Sequence, residues 1–147
     1  MKSHYAGLAI NLVVSAVIMY LVMFSMIDGV PDFYNNLNMV YMALMMVAPM
    51  AILMLLTMGS MYQNRKANVL LYVGFVVLFV GAFSFTRAQT FIGDRQFLRS
   101  MIPHHSGAVL MCGKASLTDQ EIISLCQSII KSQREEIEQM KRIMARY

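Results

Sequence analysis

The 147 residues are 58% hydrophobic and only 14% charged, with 16 Met and no Trp. An ordinary soluble domain carries about 25% charge, so this composition excludes one. Of the 20 Asp, Glu, Lys and Arg residues, 15 lie from Arg87 onward, where the net charge of +3 is spread over mixed signs; nucleic acid is not an expected partner.

Three apolar segments fill the first part: about Tyr5 to Ile27, Leu37 to Tyr62 and Asn68 to Thr86. None contains Asp, Glu, Lys or Arg, and each reaches the roughly 20 residues that cross a bilayer. Pro49 is expected to kink the second. The first is too long for a signal-peptide core and lacks a small-residue cleavage pattern before Asp28-Gly-Val-Pro-Asp32, so it reads as retained, with the mature chain starting near Met1. Lys2 precedes the first span, the loop 28–36 has no basic residue, and the loop 63–67 carries Arg65 and Lys66. Lys and Arg mark the cytoplasmic side, which places the N-terminus in the cytoplasm and the segment after the third span in the periplasm of a bacterial inner membrane. The chain is therefore expected to divide into a three-helix membrane region, 1–87, and an extracytoplasmic two-helix domain, 88–147.

The overall expectation is an all-α protein: three transmembrane helices followed by an antiparallel helical hairpin. The first hairpin helix starts at about Asp94 or Pro103 and runs to Lys114, with Pro103 starting or kinking it. The second starts at Thr118, where Thr118 and Glu121 fit a capping box. Cys126, Ile130, Gln133, Ile137, Met140 and Met144 recur in heptad rhythm as a buried stripe, while Lys131, Arg134, Glu135, Glu138, Lys141 and Arg142 take the wet face. A turn near Ser116 pairs Cys126 with about Ser106. Gly107 and Ala108 would then admit the second helix closely. Some 60 residues in two helices bury little core, so the hairpin is expected to associate, as a homo-oligomer or within a larger membrane complex.

The run Met101-Ile-Pro-His-His-Ser-Gly-Ala-Val-Leu-Met-Cys112 gathers two imidazoles, two thioethers and a thiol. Thioether and thiolate sulfurs select Cu(I), and imidazole supplements them, so Met101, His104, His105, Met111 and Cys112 are candidates for a soft-metal site. Met101, His105, Ala108 and Cys112 share one helical stripe, with His104 and Met111 on the adjacent one. Cys112 and Cys126 read first as small buried apolar residues. The assumed register offsets them by roughly six residues, about 9 Å along the axis, which disfavours an intrachain disulfide and leaves intermolecular pairing or metal ligation open.

Phe97-Leu-Arg-Ser-Met-Ile-Pro-His-His-Ser-Gly-Ala-Val-Leu-Met111 and Ile129-Ile-Lys-Ser-Gln-Arg-Glu-Glu-Ile-Glu-Gln-Met140 resemble the bacterial "domain of unknown function 305" family, over about Asp94 to Met144. The resemblance implies a ferritin-like bundle, of which this hairpin is half, and periplasmic copper or silver binding. It carries over to Met101, His104, His105, Met111 and Met140 as metal ligands, and to Gln133 and Glu136 as motif residues. Cys112 and Cys126 stand where the family usually has small residues such as Ala, which would alter metal preference.

Together these readings suggest a membrane-anchored periplasmic protein that binds copper, as Cu(I), or silver for homeostasis or delivery. The alternatives are an accessory or assembly subunit holding no metal, and a redox protein using Cys112 and Cys126. The membrane methionines, among them Met39, Met42, Met46, Met50 and Met54 along the second span, read as packing filler, and His4 as incidental. No catalytic constellation is apparent, so an enzyme is not expected; Ser106 beside His105 is too slight a basis for a nucleophile.

Overall fold

Hydropathy and capping together delimit five helices in the computed structural model, which describes residues 2–147 and side chains from His4 onward. They are α1 (Lys2–Val22), α2 (Leu37–Thr57), α3 (Arg65–Ala88), α4 (Asp94–Lys114) and α5 (Gln120–Met144), with short 3-10 turns at Met23–Met26 and Val30–Asp32. No strand occurs among the described residues. Met1, the expected start of the chain, and the Lys2 side chain used for orientation lie outside what is described. The segments His4–Met26, Leu37–Thr57 and Arg65–Ala88 are each long and apolar enough to cross a membrane. Pro49 and Pro103 both sit inside continuous helices.

The chain separates into two compact units. The first comprises the stretch up to Val22 and Asn38–Thr90. Its core joins Leu8 and Leu12 of α1 to Val47, Ala51 and Leu55 of α2 and to Tyr62, with Met19, Met50 and Met54 packed against it. Met42 and Met46 are exposed instead, so the thioether side of α2 is divided between core and surface. At one end a polar cluster ties the helices together. Tyr5 Oη donates to Asn68 Oδ1 (2.8 Å) and accepts the Asn64 N–H (3.3 Å), while Asn68 Nδ2 donates to the Tyr62 carbonyl (2.6 Å). Asn64 also caps α3, its side chain accepting the Ala67 N–H. At the other end Tyr41 Oη donates to the Thr90 carbonyl (2.9 Å).

The second unit comprises Met23–Leu37 and Phe91–Tyr147, so the loop between α1 and α2 belongs with α4 and α5 and not with the apolar helices. Ile102, Val109 and Ile137 form its core, flanked by Ile130, Met140, Met144 and, from the loop, Tyr34. The heptad stripe of α5 is buried or half-buried as its spacing requires. Lys141 departs from the wet face expected for it: its ammonium lies 2.7 Å from Asp32 of the loop.

Three local expectations change. Asp119 caps α5 in place of Thr118, because its carboxylate accepts the N–H groups of both Glu121 (2.8 Å) and Ile122 (3.2 Å). The pairing of α4 with α5 slides by about six residues, roughly 9 Å by helical rise, so that Cys126 meets Cys112 and not Ser106. Gly107 serves a different neighbour: a Cβ there would come within 3.3 Å of the Met26 carbonyl oxygen, so the missing side chain admits the first loop to α4.

Candidate functional site

α4 is covered from two directions, and this decides which of its chemical groups remain accessible. Ile102, Ser106, Gly107 and Val109 are buried, whereas His104 and Met111 are exposed and Met101 is half-exposed. The expected soft-donor set therefore splits.

His105 is withdrawn from it. Its Nδ1 lies 2.9 Å from the Met101 carbonyl and its Nε2 lies 2.7 Å from Glu136 Oε2. Each ring nitrogen thus already faces a protein acceptor within hydrogen-bond distance, which a metal would have to displace. Glu136 also accepts from Ser132 Oγ (3.0 Å). That bond, and then the His105 bond, hold the Glu136 carboxyl below its ordinary value of 4.5 against a smaller opposing effect of burial. A depressed carboxylate stabilises the fold above its unfolded pKa, and that contribution disappears as pH falls through the folded value. Glu136→Gln is accordingly expected to flatten the stability of the second unit against pH from about 4.5 downward. Chemical unfolding at stepped pH measures this; an unchanged slope would refute it.

Met140 is half-buried against the α4–α5 core, where its thioether contributes packing volume. Cys112 and Cys126 form a disulfide with Cα atoms 5.2 Å apart. The expectation against an intrachain bridge fails because it rested on the wrong register. In the bridged state neither sulfur is a thiolate, which also removes both from metal ligation. Met101, His104 and Met111 are left. Met101 and His104 are one helical turn apart, about 4.5 Å by rise, and Met111 follows His104 by about 10.5 Å. Among the described residues no group of three or more His, Cys, Asp and Glu is placed to hold a metal ion.

The groups that sequence reasoning did not single out lie on the loop side of α4. Ser106, fully buried, accepts the Asp28 N–H (2.7 Å) and donates to Asp32 Oδ2 (2.6 Å). Asp32 in turn holds Lys141. Burial alone would lower the Lys141 pKa, but the hydrogen bond and charge of Asp32 outweigh it and the ammonium is held above its ordinary range. The loop is tied again at its end, where Gln96 Oε1 accepts the Leu37 N–H (3.1 Å) and Asn36 Nδ2 donates to the Arg99 carbonyl (3.4 Å). Asp28, Asp32, Arg134, Glu138 and Lys141 line a cleft of about 340 Å³ beside this network. The available signal was the pair of acids in a loop free of basic residues, with the nearest opposite charges in sequence, Lys2 and Arg65, lying 26 residues before Asp28 and 33 after Asp32.

An uncharacterized protein of Acanthamoeba polyphaga mimivirus is 34% identical over 119 residues, which span 80% of this chain and 76% of that relative. No solved structure matches. The family model described as "Domain of unknown function (DUF305)" matches residues 84–144. An alignment of 119 residues exceeds that region, so the likeness to the viral protein extends into the apolar helices. With the His-His motif on α4, the Glu136 motif on α5 and this coverage, the chain belongs to the DUF305 family.

Proposed function

We propose that the protein is a membrane-anchored binder of Cu(I) or Ag(I), carried as cargo for homeostasis or delivery, with α4 and α5 acting as an antiparallel hairpin in the periplasm. The observation that carries this reading is the accessibility of three soft donors on one helix: Met101 half-exposed, His104 and Met111 exposed. Thioethers and neutral imidazole match a soft monovalent cation and add no charge, so they fit the proposed cargo. Met101 and His104 form the closer pair. Met111, two turns on, would serve an ion shared with a second copy, which would also complete the ferritin-like bundle of which this hairpin is half.

Three features support the placement. The loop 23–37 shares a compact unit with residues 91–147, which fits a topology with both on one side of the membrane. Lys2, Arg65 and Lys66 fall at the opposite ends of the spans, where the cytoplasm is expected. The disulfide suits an oxidising compartment. Bilayer lipid would cover exposed residues such as Val13, Val17, Val76 and Val80.

Cu(I) competition titration of the detergent-purified full chain tests the reading. Met101→Leu/His104→Ala/Met111→Leu is expected to lose one bound equivalent, or to weaken it by at least about tenfold. Cu(I) uptake indifferent to the triple change would sink it. A metal-free accessory subunit is the second reading, favoured by Ile122 and Leu125, which stand exposed on α5 at 46% and 59%.

A further inference from the structure

The first unit carries a second concentration of soft donors, formed by residues far apart in the chain. His4 at the start of α1, Met54 near the end of α2, and Met58 and Met61 in the turn beyond it line one pocket of about 240 Å³. Asn11 and Tyr62 are its other polar residues, and no Asp, Glu, Lys or Arg lines it.

We propose that this pocket is a binding site for a soft monovalent cation, Cu(I) or Ag(I), held by the three thioethers and the His4 imidazole. None of the four donors is an anion, so the site cannot neutralise the second charge of Zn(II) or of the hard divalent ions, which favour imidazole with thiolate or carboxylate oxygen. Thioether sulfur instead selects Cu(I). The charge left on the bound ion is a single one, at the end of an apolar unit where a larger charge would be costly.

The pocket is also framed. The Tyr5 and Tyr62 rings lie 5.3 Å apart, and both residues are bonded to Asn68, through the Tyr5 hydroxyl at 2.8 Å and the Tyr62 carbonyl at 2.6 Å. Tyr5 follows His4 and Tyr62 follows Met61, so this cluster fixes the backbone beside two donors that come from different ends of the unit. Met54 is anchored independently by packing on the Leu8–Leu55 core. Met58 and Met61, 38% and 40% exposed, and the exposed His4 have room to swing, which is what capture of an ion from outside the pocket requires. His4 acquires a role here that its isolated position in the sequence did not suggest.

This site is separate from the donors of α4 and does not depend on them. The test is an Ag(I) titration of the full chain in detergent, followed by calorimetry and intact-complex mass spectrometry. It starts from the background Met101→Leu/His104→Ala/Met111→Leu, which removes the α4 donors. That background is expected to retain one Ag(I). Adding Met54→Leu/Met58→Leu/Met61→Leu is expected to abolish it, and adding His4→Ala alone to weaken it at least about tenfold. Leu conserves the volume of Met, so helicity and elution volume should be unchanged and loss of binding cannot be attributed to unfolding. No Ag(I) bound in the background, or binding that survives the three Leu substitutions, would overturn the proposal. Wild-type uptake that falls only with the α4 changes would overturn it while sparing the reading of α4.

Discussion

Replacing Cys112 and Cys126 together by Ser is expected to destabilise the α4–α5 unit by about 3 kcal/mol, the loss predicted for opening a crosslink of this loop length. The two sulfurs close a loop of sequence separation 14 around the five-residue connection between Lys114 and Gln120. Without the bridge, the unfolded chain regains the freedom to separate these helix ends, and the folded unit loses the fixed point nearest its turn. The core cluster beside it is small: Ile102, Val109 and Ile137 with a few half-buried neighbours. Urea unfolding of the full chain, with hydrogen exchange read over residues 91–147, measures the change. Reduced wild type should match the double variant, and equal stability of oxidised and reduced protein would contradict the expectation.

Ser106→Ala should cost about 2 kcal/mol, through a different mechanism. The hydroxyl is fully buried and satisfies two groups of the first loop, the Asp28 N–H and the Asp32 carboxylate. Removing it leaves a donor unpaired and takes from Asp32 a charge-assisted bond, the stronger kind. Asp32 retains Lys141, so the loop should loosen without abandoning α4. Faster exchange of the Asp28 amide is the direct readout. A double-mutant cycle with Asp32→Asn should show coupling, since the residues share one network; strict additivity would mean that the hydrogen bond contributes nothing.

The helices and three candidate spans were legible because apolar runs and heptad spacing act locally. The α5 stripe from Cys126 to Met144 was legible for the same reason: a period of 3.5 or 3.6 residues specifies a face whatever that face meets. What it meets was not legible. The register depended on where the connection turns, and centring it on Ser116 misplaced the cysteines by about two helical turns, which reversed the expectation about their bridging. The docking of the loop on Ser106 and Gly107 was hidden more deeply. Both residues sit inside the His-His-Ser-Gly motif, where their neighbours invite a metal-centred reading, and their partners lie beyond two apolar segments in the chain.

The candidate site shows the same division. Residue types identified the soft donors on α4, and exposure then kept Met101, His104 and Met111. Hydrogen bonding, bridging and packing engage His105, the two cysteines and Met140 with protein partners. His4 and the turn methionines gave no sequence signal, since no spacing relates the start of one helix to the end of the next.

The loop's place in the second unit imposes an order on biosynthesis. Asp28 and Asp32 emerge directly after the first span, yet Ser106 and Lys141 are synthesised only after both remaining spans. If the apolar helices cross a membrane as proposed, the loop waits on its side of it with Asp32 lacking Ser106 and Lys141 and with Tyr34 lacking the α4–α5 core it packs against. On that topology, completion of the second unit is coupled to insertion: a chain whose second or third apolar helix failed to cross would strand α4 and α5 on the side opposite to their missing piece.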